Sequence, residues 1–80
     1  MLEATLYTTL GCHLCEEAKS QIVQLMQGGL PLSLTEIDIA DNDELVEQYG
    51  VRIPVITTGH RADDLGWPFT IEQLHDYLTT

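Results

Sequence analysis

Apolar and polar positions alternate at the start of the chain and then change to a helical spacing. Leu2, Ala4 and Leu6 occupy every second position of residues 2–8, which is typical of a strand with one buried face. From residue 13 to about residue 27, apolar residues recur on one helical face at Leu14, Ala18, Ile22, Leu25 and Met26. Two glycines follow, at positions 28 and 29. The pattern predicts a strand, a short loop and a helix that these glycines end.

A second strand is predicted over residues 32–39, but its apolar positions change face. Leu32 and Leu34 share one phase of the alternation, whereas Ile37 and Ile39 share the other. A β-bulge or burial on both faces would explain the change, and the sequence does not decide between them.

A short second helix is expected to begin at Asp41 or Asn42 and to end at Gly50. Glu44 follows Asp41 by three positions, which is the spacing of a capping box. The buried side of this helix is expected to consist of Leu45, Val46 and Tyr49.

The remaining third of the chain predicts two strands and a helix. Residues 51–57 are rich in β-branched side chains, and Pro54 is expected at the beginning of that strand because proline cannot donate a ladder hydrogen bond. A brief fourth strand is expected near residues 61–65. Thr70 and Gln73 have the spacing of a capping box for the last helix. The apolar stripe of this helix is Ile71, Leu74 and Leu78.

The element order β-α-β-α-β-β-α predicts an α/β fold with a four-stranded mixed sheet and three helices. The helical crossovers should give parallel pairs among the first three strands, and the final hairpin should add an antiparallel edge. The 80 residues are expected to form a single domain, 1–80.

The chain is strongly acidic, with a formal net charge of −10 and only Lys19, Arg52 and Arg61 as fixed cations. Because a nucleic-acid binder needs a basic surface, that class is excluded. Acidity either keeps the protein soluble or attracts a basic protein partner. No signal-peptide pattern and no apolar run of roughly 20 residues is present, so we expect a cytoplasmic protein that does not enter a membrane.

The two cysteines, Cys12 and Cys15, lie where the first strand gives way to the first helix. Since they are only three positions apart, they cannot link distant parts of the chain, and redox or metal chemistry is favoured. The N-terminus of a helix stabilises a nearby thiolate. We therefore expect Cys12 to be the nucleophile and Cys15 the resolving thiol. A protonated His13 would favour the thiolate, whereas Glu16 and Glu17 would oppose it.

Metal binding is the competing chemistry for the cysteine pair. A zinc site needs four ligands, and neither His60 nor His75 supplies a second ligand pair. One chain would thus make an incomplete site, although two chains could share a metal or an iron–sulfur cluster. A module that binds proteins with little turnover is a third alternative. No resident metal is expected.

Together with the sequence YGVRIP at residues 49–54, the Cys-x-x-Cys motif resembles the thioredoxin superfamily, and glutaredoxins and small glutaredoxin-like proteins in particular. The resemblance implies a thioredoxin fold and a dithiol–disulfide oxidoreductase. It also implies that Pro54 is cis and packs beside the cysteines, with Ile53 offering its backbone to the substrate. An ordinary trans proline at the start of an edge strand is the alternative. The implied partners are a disulfide-containing protein or small thiol substrate and a reducing thiol system, with no tightly bound cofactor.

The sequence departs from typical glutaredoxins between and before the cysteines. His13 and Leu14 replace a proline and an aromatic residue, and no lysine precedes the first cysteine. The nearest counterparts of the glycine turn and of the acid that receives the glutathione amine are Gly59 and the pair Asp63-Asp64. Glutathione remains a candidate co-substrate, although an anionic thiol has few cations to meet here.

Five residues beside the cysteines are predicted to meet the substrate. For Arg52, we weigh a substrate carboxylate against a surface salt bridge. Lys19 is either a solvated charge on the helix or an ion-pair partner of Glu16 or Glu17. The predicted substrate-binding residues are His13, Leu14, Arg52, Ile53 and Pro54.

Overall fold

The computed structural model describes residues 2–79, which form one four-stranded sheet with three α-helices. A short 3₁₀ helix, Ile39–Asp41, lies before the second α-helix. The predicted element order is confirmed, with bounds β1 Leu2–Thr8, α1 His13–Gln27, β2 Leu32–Asp38, α2 Asp43–Tyr49, β3 Val55–Thr58, β4 Asp64–Gly66 and α3 Ile71–Thr79.

The strands lie in the order β2-β1-β3-β4. β1 and β2 are parallel, whereas β3 is antiparallel to both β1 and β4. The expectation that the third strand joins a parallel pair was therefore wrong. The reason is the length of α2, whose seven residues span only about 10 Å. This helix does not return the chain to the start of β2, which is about 23 Å away, and β3 begins at the edge where β2 ends.

Both faces of the sheet are covered, and this explains the change of phase in the second strand. Leu32 and Leu34 pack with α1 and α3 on one face, whereas Ile39 packs with Tyr49 of α2 on the other. The β1–β2 register is unbroken from Leu2 to Thr8, so burial on both faces is found rather than a bulge. Ile39 lies in the 3₁₀ helix just beyond the strand.

Three residues predicted to lie on buried helix faces are exposed instead. Leu14 and Val46 are each 44% exposed and Met26 is 36% exposed. Each of them lies one position, about 100° around the helix axis, from a residue that packs inward. The inward-facing neighbours are Cys15, Leu45 and Leu25, respectively.

The local caps decide where the last two helices begin. Asn42 caps α2 by accepting hydrogen bonds from the Glu44 and Leu45 backbone N–H groups at 3.0 and 3.2 Å. Asp41 ends the 3₁₀ helix, so the predicted Asp41–Glu44 capping box was wrong. At α3 the predicted box is confirmed. Across residues 2–79, the structure contains no helix of the length and hydropathy that a membrane span requires.

Candidate active site

Cys12 and Cys15 form a disulfide at the start of α1. Their Cα atoms are 5.2 Å apart, within the normal range for a disulfide. Cys12 is the N-cap of α1, with extended backbone angles, and its Sγ accepts a hydrogen bond from the Cys15 backbone N–H at 3.1 Å. Gly11 precedes it with a φ of +77°, a conformation in which glycine is favoured. The loop thus delivers Cys12 to the helix end with its sulfur facing the free N–H groups.

The two sulfur-bearing residues differ in exposure. Cys15 is 4% exposed and packs on the inner side of α1. Cys12 is partly exposed, and the two residues between the cysteines, His13 and Leu14, are exposed. An external disulfide can therefore approach Cys12, whereas Cys15 is shielded. The roles predicted for the two thiols are compatible with this difference.

The proline segment lies at the same edge of the sheet as the cysteine loop. Val55 is paired with Tyr7, so Pro54 stands next to the end of β1, where the loop to Cys12 begins. Pro54 is fully buried, and both its bond to Ile53 and the Trp67–Pro68 bond are cis.

The backbone of Ile53 is partly engaged within the chain. Its N–H donates to the Tyr49 carbonyl at 3.0 Å, and the Pro54 carbonyl accepts from the Trp67 N–H at 3.0 Å. Backbone pairing between Ile53 and a substrate would therefore use the Ile53 carbonyl.

Arg52 forms a surface salt bridge, which is one of the two roles considered for it from the sequence. Its guanidinium forms a two-fold contact with the Asp64 carboxylate, one arm of which measures 3.3 Å from Nη1 to Oδ2. The hydrogen bond to Asp64 raises the pKa of Arg52 above its ordinary value. A substrate carboxylate at Arg52 would have to compete with Asp64.

The other two cations are paired as well. Lys19 Nζ lies 3.1 Å from Glu36 Oε2 on β2, so neither alternative for Lys19, a solvated charge or a pair with Glu16 or Glu17, is found. Arg61 contacts Asp63 through two hydrogen bonds of 2.8 Å. Asp63 and Asp64, the nearest counterparts of an acid that receives glutathione, are thus both engaged by arginines.

A cavity of about 370 Å³ opens beside the cysteine pair. Its walls are the loop of residues 8–11, the two cysteines and four charged residues from α1 and the end of β2. Sequence reasoning missed the two charges from β2. The available signal was the parallel pairing of β1 and β2, which places the ends of both strands at one edge. The charged residues are Glu16, Lys19, Glu36 and Asp38.

His13 lies between the cysteines but is not among the residues that line this cavity, and the other two histidines lie away from it. His60 is in the turn after β3, and His75 on α3 lines a different cavity. Within residues 2–79, no three His, Cys, Asp or Glu side chains are grouped so that they could hold a metal ion.

Comparisons with known proteins agree on the family and the fold. Residues 3–79 match the family model described as Glutaredoxin-like domain (DUF836). The crystal structure of the Northeast Structural Genomics target protein XcR50 from X. campestris is similar, with 32% identity, a TM-score of 0.80, and coverage of 94% of this chain and 93% of that chain. No curated protein matches the sequence significantly.

Two thioredoxins share the fold at lower identity. The N21Q mutant thioredoxin from Halobacterium salinarum is 18% identical, with a TM-score of 0.73 and coverage of 96% of this chain and 71% of that chain. Oxidised mitochondrial thioredoxin 3 from Saccharomyces cerevisiae is 12% identical, with a TM-score of 0.66 and coverage of 96% and 76%. The fold and the Cys12–Cys15 pair together support thiol–disulfide redox function in general. The chain belongs to the glutaredoxin-like domain family and has the thioredoxin fold.

Proposed function

We propose that this protein is a dithiol oxidoreductase that exchanges its Cys12–Cys15 disulfide with thiols and disulfides of its substrates. The observation that carries the proposal is the position of Cys12. Its sulfur caps a helix and accepts the Cys15 N–H at 3.1 Å. The residue Cys12 is partly exposed, whereas Cys15 is buried.

The reaction begins from the reduced dithiol. The Cys12 thiolate attacks one sulfur of a substrate disulfide, the S–S bond of the substrate breaks, and one substrate thiolate leaves and takes up a proton. Cys15 then loses its proton and attacks Cys12 Sγ, which releases the second substrate thiol. The protein dithiol is oxidised and the substrate disulfide is reduced. A thiol reductant returns the protein to the dithiol form by the reverse exchange.

The helix end supports the first step. The N–H group of Cys15 and the partial positive charge of the α1 N-terminus both stabilise negative charge on Cys12 Sγ. Glu16, in the first turn, opposes this with its own negative charge. We therefore expect the Cys12 thiolate to be somewhat more favoured than that of a free cysteine, with the two charge effects partly cancelling.

The substrate is proposed to lie across the exposed first turn and the proline segment. His13 and Leu14 would contact its side chains, the Ile53 carbonyl would pair with its backbone, and Pro54 would shape the groove. Arg52 would contribute only where a substrate displaces Asp64. The proposed setting is a reducing cytoplasm, with a thiol system or glutathione as the reductant.

The two thiols can be distinguished by trapping. Reduced Cys15→Ser, treated with hydroxyethyl disulfide, should accumulate one mercaptoethanol adduct on Cys12, because no second thiol is present to release it. Reduced Cys12→Ser should form its adduct at least about tenfold more slowly, since Cys15 is buried. Intact-mass spectrometry after acid quenching measures both.

Wild-type protein and the double variant Cys12→Ser/Cys15→Ser serve as controls. Wild type should pass to the internal disulfide without accumulating an adduct, and the double variant should not react. Equal adduct formation by the two single variants, or persistent exchange by Cys12→Ser, would contradict the proposal.

A further inference from the structure

The cavity beside the cysteine pair carries an excess of negative charge. Three carboxylates, those of Glu16, Glu36 and Asp38, line it together with one ammonium group, that of Lys19. The formal excess is two negative charges. When Cys12 attacks a substrate disulfide from this cavity, the substituent on the attacked sulfur would lie in the negative electrostatic potential of these carboxylates.

The single cation of the cavity is already held by a carboxylate. Lys19 reaches from α1 to Glu36 on β2, with a distance of 3.1 Å between Nζ and Oε2. A carboxylate of a substrate that recruited Lys19 would leave Glu36 unpaired beside it. The balance of charge in the cavity would become still more negative.

The cations outside the cavity offer no alternative. Arg52 is paired with Asp64, and Arg61 with Asp63. Arg61 is held further by the Tyr77 carbonyl, which accepts from its Nη1 at 3.1 Å. Each lysine and arginine of the chain is therefore engaged by a carboxylate, and an anionic substrate would have to break an existing ion pair.

We propose that this cavity selects disulfides that carry positive charge next to the sulfur atoms and disfavours anionic disulfides such as oxidised glutathione. The inference rests on the proposed exchange reaction at Cys12 and names the substrate class for that thiol. The cavity lies on the β2 side of Cys12, and none of the five predicted substrate-binding residues lines it, so it would receive the group attached to the attacked sulfur. A peptide disulfide flanked by lysine or arginine has this chemistry, and so does the small molecule cystamine.

The step with cystamine has a defined balance. The Cys12 thiolate attacks one sulfur, the S–S bond of cystamine breaks, and 2-aminoethanethiolate leaves and is protonated. The aminoethyl group that remains bonded to Cys12 Sγ places its ammonium in the acidic cavity. Cys15 then displaces it, so that the protein dithiol becomes a disulfide and cystamine becomes two thiols.

The test compares three disulfides of different charge with the reduced wild-type protein: cystamine, which is cationic, hydroxyethyl disulfide, which is neutral, and oxidised glutathione, which is anionic. Rates of oxidation are measured by acid quenching and intact mass. Each rate is divided by that of mercaptoethanol with the same disulfide, which removes the intrinsic reactivity of the leaving thiol.

At low ionic strength, about 20 mM, the normalised rate for cystamine should exceed that for oxidised glutathione by about tenfold or more. Hydroxyethyl disulfide should fall between them. The ratio should shrink at an ionic strength of about 0.5 M, because the screening length is then only a few ångströms.

A charge variant locates the effect. Glu36→Gln removes one carboxylate from the cavity and releases Lys19, so the cystamine-to-glutathione ratio should fall by about threefold or more. Because both substrates react with the same thiol, a change in Cys12 reactivity cancels in the ratio.

Glu72→Gln is the matched control, because it makes the same change of net charge elsewhere. Glu72 on α3 lies beside Leu25 of α1 in a separate cavity. Leu25 is ten residues along α1 from Cys15, which corresponds to about 15 Å. Both variants are compared with wild type at an ionic strength of about 0.15 M, where the screening length is about 8 Å. Since the separation exceeds that length, Glu72→Gln should leave the ratio within about 1.5-fold of wild type.

The outcomes separate the inference from the proposed function. Equal normalised rates for the three disulfides, or a preference for oxidised glutathione, would overturn the charge selection and leave the exchange activity standing. An equal loss in Glu36→Gln and Glu72→Gln would show that the whole molecule, not this cavity, causes the selection, and would overturn the site assignment. If no disulfide oxidises the protein through Cys12, the proposed function fails and the selection fails with it.

Discussion

Asp63 shows how a single side chain is fixed on this acidic surface. Arg61 donates to both of its carboxylate oxygens at 2.8 Å and is itself held over the Tyr77 ring, with Cζ 4.5 Å from the ring centroid. The hydrogen bonds from Arg61 hold the pKa of Asp63 below its ordinary value of 3.8. The ion pair is exposed, so its contribution to the free energy of unfolding is small and depends on pH.

The pH dependence of this ion pair can be tested with Asp63→Asn. Because the pKa of Asp63 is lower in the folded protein, its stabilisation is fully present above the unfolded value near 3.8 and is lost as the pH falls through the folded value. Wild type should thus be more stable than the variant at pH 6, and the difference should shrink as the pH falls below 3.8. Urea unfolding at each pH measures this.

Glu3→Gln, on β1, controls for the removal of an exposed carboxylate as such. A difference between wild type and Asp63→Asn that stays constant from pH 6 to pH 2 would contradict the assignment.

At the scale of elements, the start of α3 depends on a reciprocal pair of hydrogen bonds. The Thr70 N–H donates to Gln73 Oε1 at 2.9 Å, and the Gln73 N–H donates to Thr70 Oγ1 at 3.1 Å. This helix supplies Leu74 and Leu78, both fully buried, to the core between the sheet and α1. Loss of the cap should therefore destabilise the whole fold and not only one turn.

Thr70→Ala should lower the free energy of unfolding by about 1 kcal/mol, because the Gln73 N–H loses its acceptor at the helix start. The measurement is urea unfolding at pH 7. Ser20→Ala removes an exposed hydroxyl within α1 and should change stability by less than about 0.5 kcal/mol. An equal decrease in the free energy of unfolding in both variants would contradict the proposed role of the cap.

At the scale of the whole molecule, charge repulsion is the dominant surface property. The chain has 13 acidic residues against three lysines and arginines. The three lysines and arginines take part in ion pairs, and because acidic residues are in large excess, the carboxylates repel one another on balance. Such self-repulsion destabilises a compact state and is screened by salt.

The melting temperature at pH 7 should rise when sodium chloride is increased from about 20 to 300 mM. A gain on the order of 1 kcal/mol corresponds to about 4–8 °C for a domain of this size. The rise should be much smaller at about pH 4, where carboxylates are close to half protonated. Calorimetry at both pH values tests this, and a melting temperature that falls with salt at pH 7 would contradict it.

The sequence alone determined the features that depend on neighbours within about four positions. The alternation of Leu2, Ala4 and Leu6, the Thr70–Gln73 cap and the spacing of Cys12 and Cys15 are all local, because backbone periodicity and helix caps act over one turn or one strand. The order of elements and the position of the cysteine pair could therefore be predicted from these local patterns.

The surroundings of that pair depend on how distant elements pack together in three dimensions. The direction of β3 follows from the short length of α2, and the partner of Lys19 follows from the register of β2, which brings Glu36 beside α1. Local spacing favoured Glu16 or Glu17 for that ion pair, but a charge pairs with whichever carboxylate packing places within reach. The acidic cavity beside the sulfurs is formed by α1, β2 and the loop of residues 8–11. Local sequence patterns do not show that these segments are in contact.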